Sequence, residues 1–99
     1  MSKPVTCVIA EDEQIFRDAL LGLLRQEWPA LEVLAACEDG GAALEAIGEH
    51  QPDVAFLDIR MPGLTGLEVA TATAEASPST QIVFVTAYDQ YAIQAFERG

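Results

Sequence analysis

The sequence predicts an α/β fold, a doubly wound parallel sheet with helices on both faces. Short apolar runs alternate with segments whose apolar residues recur every three or four positions. The runs are continuous, as strands covered on both faces require. Each is followed by a helical pattern, so a strand–helix unit occurs four times, and strands joined through helices lie parallel with right-handed crossovers.

Residues 5–10 read as the first buried strand, closed by Glu11-Asp12-Glu13. Over residues 14–27, Phe16, Ala19, Leu20, Leu23 and Leu24 form one stripe of an amphipathic helix. Glu13 and Arg17 are four apart with the acid first, the favoured orientation for a helix pair. Trp28-Pro29 ends this helix, because proline cannot continue it and restricts the residue before it. Residues 31–37 are the second strand, Asp39-Gly40-Gly41 breaks the chain, and residues 42–49 form a short helix with Leu44 and Ile47 inward. Pro52-Asp53 introduces the third strand, Val54-Ala55-Phe56-Leu57, which stops at Asp58. Residues 59–64 are a loop containing Met61-Pro62-Gly63. Thr65 and Glu68 have capping-box spacing, which starts a third helix running to about Ala76. After the turn Ser77-Pro78-Ser79 comes a fourth strand, residues 81–85, ending at Thr86-Ala87. A fourth helix runs from Tyr88 or Asp89 to Arg98, with Tyr91, Ala92, Ala95 and Phe96 on one side.

Ninety-nine residues, 51% of them hydrophobic, make one domain with a single buried core. Apolar runs reach only about five to seven residues, against roughly 20 for a membrane span. The first four residues carry no apolar signal core, so a cytoplasmic location is expected. Cys7 and Cys37 read as buried or half-buried thiols in a reducing compartment. Five basic against sixteen acidic residues give a net charge of −11, which repels phosphate backbones and anionic lipid. This segment is therefore expected to bind neither nucleic acid nor membranes.

In an open α/β sheet, ligands bind beyond the carboxyl ends of the strands, where strand order reverses. Polar groups stand there after three strands: Glu11 and Asp12 after the first, Asp58 after the third, Thr86 after the fourth. A flavodoxin-like order, 2-1-3-4, makes the first and third strands neighbours and gathers Glu11, Asp12 and Asp58. Three such carboxylates repel one another unless a cation joins them, and hard oxygen donors suit Mg²⁺. With the metal present, Asp58 stays ionised and can attack phosphorus, while Thr86 offers a hydroxyl on the other side. Simpler roles exist for each residue: helix capping for Glu11 and Asp12, turn formation for Asp58, a β-branched strand end for Thr86.

Ile9-Ala10-Glu11-Asp12-Glu13, then the stretch from Phe56 through Asp58, Arg60, Met61, Pro62 and Gly63 to Gly66, then Val83-Phe84-Val85-Thr86-Ala87, stand in characteristic order and spacing. Together they resemble the receiver domains of two-component response regulators, and the likeness covers essentially the whole chain. The segment from Tyr88 to Glu97 resembles the receivers attached to LytTR-type DNA-binding domains. The resemblance implies a CheY-like form of the flavodoxin-like fold, in which Asp58 accepts phosphate from a phosphohistidine on a sensor histidine kinase. It implies Mg²⁺ held by Glu11, Asp12, Asp58 and the backbone carbonyl of Arg60. It makes Thr86 the switch hydroxyl, Ala87 the small residue that leaves it room, and Pro62 the shaper of the loop. Arg60 and Tyr88 match positions that tune hydrolysis of the acyl phosphate. Such a protein takes part in its own phosphorylation and dephosphorylation and is not otherwise an enzyme.

The family also has a fifth strand bearing a lysine and an aromatic switch residue, and a fifth helix. Here the sequence given stops at Arg98-Gly99, so residues 1–99 are expected to be a C-terminally incomplete receiver, with an effector domain beyond residue 99. Lys3 precedes the first strand, at the wrong end of the sheet to replace the lysine, and Tyr88 and Tyr91 lie on the wrong element for the aromatic switch. Residues 81–85 would then form an apolar edge strand, which invites swapping or dimerisation. A haloacid-dehalogenase-type phosphatase would want a second Asp where Arg60 stands. A flavodoxin-like cofactor binder would need a phosphate cradle where Glu11-Asp12-Glu13 stands. A receiver that no longer phosphorylates would not need Glu11, Asp12, Asp58 and Thr86 together.

Overall fold

The computed structural model describes residues 3–85. Seven elements follow in order: β1 (Thr6–Ala10), α1 (Gln14–Glu27), β2 (Glu32–Cys37), α2 (Gly40–His50), β3 (Val54–Asp58), α3 (Gly66–Ala76) and β4 (Gln81–Val85). All strand pairs are parallel, in the order β2-β1-β3-β4. The predicted fold class and strand order are those observed. The expected fourth helix, with Tyr88 and Tyr91, lies outside the described residues.

In place of the single buried core expected from length and composition, alternation along the strands sends side chains to two cores, one on each face of the sheet. On one face Val8, Ala10, Ala55 and Leu57 pack with Ala43, Ala46 and Ile47 of α2, Val69 of α3, and Met61. On the other, Cys7, Ile9 and Phe56 meet Leu20, Leu21 and Leu24 of α1. Both cysteines are buried thiols, and burial pushes Cys7 up to about 11, which keeps it protonated and inert. β4 pairs with β3 and, among the described residues, with no other strand; its Val83 is exposed.

Several expectations need correction. The helix stripe is displaced: Leu20, Leu21 and Leu24 face the sheet, whereas Phe16, Ala19 and Leu23 point outward, as does Ile15. With leucines at 20, 21, 23 and 24 available, the sheet takes those on its side, and periodicity alone does not say which flank that is. Arg17 turns its guanidinium to the Glu11 carbonyl at 2.8 Å and, among the described residues, forms no ion pair with Glu13. Asp39-Gly40-Gly41 does not break the chain: Asp39 is the N-cap, its carboxylate accepting from the Ala42 N–H at 2.7 Å, and both glycines lie in the first turn of α2. Strands one and two each begin one residue later than read, at Thr6 and Glu32, and Asp58 is the last residue of β3 rather than the first beyond it.

Other details follow the chemistry of the sequence. Trp28 closes α1, its N–H donating to the Leu24 carbonyl. The capping box is complete, with the Thr65 hydroxyl accepting from Glu68 N–H and the Glu68 carboxylate from Thr65 N–H. At the amino end of the sheet, the Asp53 carboxylate accepts from the Thr6 N–H at 2.9 Å. There too the buried hydroxyls of Ser77 and Thr80 bond at 2.6 Å, and Thr80 donates to the Pro52 carbonyl. Lys3 lies at this end, beside Thr6, Glu32 and Asp53. Among the described residues no helix is long and apolar enough to cross a membrane.

Candidate functional site

The carboxyl ends of β1 and β3 build the site. Ala10 is paired with Leu57, so the next residues, Glu11 and Asp58, leave the sheet side by side. The Glu11 N–H continues the ladder toward β2, donating to the Cys37 carbonyl at 3.0 Å. Arg17 reaches back from α1 to the Glu11 carbonyl, and the Glu13 N–H donates to Glu11 Oε2 at 3.0 Å. Glu11 is thereby fixed at main chain and side chain. Neither Glu11 nor Asp12 is the N-cap of α1; that residue is Glu13, which makes no side-chain cap. Simple capping therefore does not explain the acidic pair.

Glu11, Asp12 and Asp58 each offer an oxygen within 4.8 Å of the others. Glu11 and Asp58 are only 5% and 6% exposed, whereas Asp12 opens to solvent. Burial, with Asp12 and Asp58 close by, pushes the Glu11 carboxyl up to about 7, although the Glu13 N–H works against this. Burial also raises Asp58, and Asp12 adds to the rise, while Glu11 and the Arg60 N–H oppose it. Asp58 Oδ1 is buried without a hydrogen-bond partner. A buried polar atom left unpaired is costly, and its cost is relieved by a cation on that side. All donors are hard oxygens, the set that Mg²⁺ prefers. The residues present fit such an ion.

The loop after Asp58 is tightly constrained. The Gly66 N–H donates to the Ile59 carbonyl at 2.9 Å, closing the loop at its base. A Cβ on Gly66 would overlap the Asp58 carbonyl and press on Ile59. Gly63 takes a φ of +76°, a left-handed backbone that glycine adopts without strain. Met61 is anchored in the core, and Arg60 is exposed. Asp58 pairs with Val85 in β4; the next residue, Thr86, and its neighbour Ala87 lie outside the described residues. Sequence reasoning gave Arg17, Gly40 and Gly66 no part in the site. The available signal was glycine at first-turn helix positions, where alanine would make a better helix.

Residues 7–99 match the response regulator receiver domain family. An uncharacterized response regulatory protein of Vibrio cholerae serotype O1 is 50% identical over 97 residues, covering 98% of this chain and 37% of that protein. The sensory transduction protein LytT of Oceanobacillus iheyensis is 41% identical over 92 residues, 91% of this chain and again 37% of the relative. The chain thus spans a little over a third of the length of these two relatives. Among solved structures, the receiver domain of the response regulator NarL from Mycobacterium tuberculosis superposes with a TM-score of 0.82 at 37% identity, covering 99% of this chain and 80% of that one. The response regulator TrrA of Thermotoga maritima, solved in complex with Mg(2+)-BeF, gives 0.77 at 32%, covering 88% and 73%. This chain's parallel sheet, in the order 2-1-3-4 with acids converging where that order reverses, thus superposes on proteins matched along nearly the whole chain, and the chain belongs to the receiver domains of two-component response regulators.

Proposed function

We propose that Asp58 is the phosphoacceptor of a Mg²⁺-dependent switch, phosphorylated by a phosphohistidine on a sensor histidine kinase. The observation that carries this reading is the buried, partnerless Asp58 Oδ1 beside two further carboxylates. Glu11, Asp12, Asp58 and the Arg60 carbonyl would hold the ion, which supplies the positive charge that offsets the transferring oxygens. The Asp58 carboxylate attacks phosphorus in line with the P–N bond; a P–O bond forms, the P–N bond breaks, and its electron pair leaves on the imidazole nitrogen. The fixed main chain of Glu11 and the closed loop after Asp58 keep the carboxylates aligned, which is most of what phosphoryl transfer asks of a protein. Thr86 then turns its hydroxyl toward the phosphoryl group, in space left by Ala87.

The domain 1–99 would continue into the rest of the receiver and an effector beyond residue 99. The likeness to LytT supports a LytTR-type DNA-binding transcription regulator; the likeness to NarL, described as a probable transcriptional regulatory protein, supports transcriptional regulation without that effector type. A cytoplasmic location and a dimer accompany this reading, and its chemistry is confined to the protein's own phosphorylation and dephosphorylation.

The test is mass spectrometry of the chain extended through its remaining receiver residues, treated with acetyl phosphate or beryllofluoride. A Mg²⁺-dependent adduct on Asp58, absent in Asp58→Asn, is expected. An adduct elsewhere, or one indifferent to Mg²⁺, refutes the assignment. Sustained turnover of small phosphate esters would indicate a phosphatase instead.

A further inference from the structure

We propose that Gly40, at the start of α2, is a positioning residue for the cation site through its contact with Leu64. The inference rests on the reading of Glu11, Asp12, Asp58 and the Arg60 carbonyl as that site.

Gly40 is buried in the first turn of α2. A Cβ there would overlap the carbonyl oxygen of Leu64 and crowd its carbonyl carbon and side chain. The next residue, Gly41, differs: a Cβ would meet only Asp39 Oδ1 at 3.5 Å, an ordinary contact. Two adjacent glycines in one helical turn weaken the helix by roughly 1 kcal/mol each relative to alanine. Only at Gly40 does packing explain the glycine.

What Gly40 admits is the far end of the loop that begins at Asp58. This loop is held at its base by the Gly66–Ile59 hydrogen bond and in its middle by buried Met61. Leu64 packs on the same core as Met61 and Ala43 of α2. The loop is thus wedged between the start of α2 and the start of α3, with glycine at each contact. Moving Leu64 outward while the base stays closed must shift the intervening backbone, which includes the Arg60 carbonyl. The atoms nearest to a Cβ on Gly40 all belong to Leu64, and it is through this backbone that Gly40 acts on the site.

Gly41→Ala supplies a matched control: the same helical turn and the same change in helix propensity, without the overlap. Mg²⁺ affinity is measured by calorimetric titration with the metal alone, and stability by urea unfolding, in the extended chain. Gly40→Ala should weaken Mg²⁺ binding about tenfold, the scale of a displaced outer-shell support, while Gly41→Ala binds like wild type. Equal affinity in the two variants overturns the proposal, even if Gly40→Ala is less stable, since a merely structural role moves only the urea midpoint. Should Gly40→Ala not fold, Leu64→Ala replaces it: a several-fold loss of affinity supports the coupling, and unchanged affinity overturns it. Wild-type protein that binds no Mg²⁺ overturns the site reading itself, and the coupling with it.

Discussion

Replacing Glu11 by Gln should change how the metal-free protein responds to pH. In the fold Glu11 titrates near 7, against 4.5 for an ordinary glutamate, chiefly because it is buried. The folded protein therefore holds this proton more tightly than the unfolded chain. Raising the pH ionises the unfolded state first, so stability due to this group is full below pH 4.5, falls between 4.5 and about 7, and is level above. At about 1.4 kcal/mol per pH unit the full fall is about 3 kcal/mol. Water reaching the neighbouring Asp12 screens the site, so a realised fall of about 1–3 kcal/mol is expected. The assay is urea unfolding at intervals from pH 4.5 to 8, comparing wild type with Glu11→Gln so that carboxylates outside the cluster cancel. The difference between the two should close by that amount as the pH falls, and saturating Mg²⁺ should abolish the wild-type loss. A difference that is flat with pH, or a loss that persists with Mg²⁺, contradicts the electrostatic account of the site.

Asp58→Asn removes a buried carboxylate with an unpartnered oxygen and should stabilise the metal-free protein by about 1 kcal/mol in urea while weakening Mg²⁺ binding; destabilisation would show that the carboxylate is better accommodated than its surroundings indicate. Gly66→Ala places a Cβ against the Asp58 carbonyl and should cost about 1–3 kcal/mol of stability, with weaker Mg²⁺ binding. Thr65→Ala breaks the capping box of α3 and should cost about 1 kcal/mol by thermal or urea unfolding, a loss that Thr65→Ser largely restores. Changing exposed Arg60 should alter the lifetime of a radiolabelled acyl phosphate more than its rate of formation, and equal effects on both would count against a role in hydrolysis.

The fold was legible because its signals are local and agree with one another. Continuous apolar runs, a proline after α1 and the Thr65–Glu68 pair define most of the elements. The order 2-1-3-4 is the flavodoxin-like arrangement that brings the strand-end acids together, and the resemblance to receiver domains implied it. What stayed hidden was relational. Phe16 and Leu23 carry the same periodicity as Leu20 and Leu24, and only the position of the sheet decides which pair is covered. Gly40 and Gly41 look alike in sequence, and only the approach of Leu64 separates them. Arg17 resembles half of a surface ion pair until Glu11 turns its carbonyl toward it. The three acids were readable from their places at strand ends. Their unequal exposure, which sets their protonation, was not.

The two ends of the sheet are finished in opposite ways. Hydroxyls and main-chain groups around Thr6, Pro52, Asp53, Ser77 and Thr80 satisfy one another at the amino end, while at the carboxyl end Asp58 keeps an unpaired oxygen. Ligand exchange can therefore rework one rim while the opposite rim stays locked. Amide deuteration should register the arrival of metal or phosphate around Glu11 and Ile59 and leave Thr6, Asp53 and Gln81 silent, so that the strands serve as a fixed anvil under a changing surface.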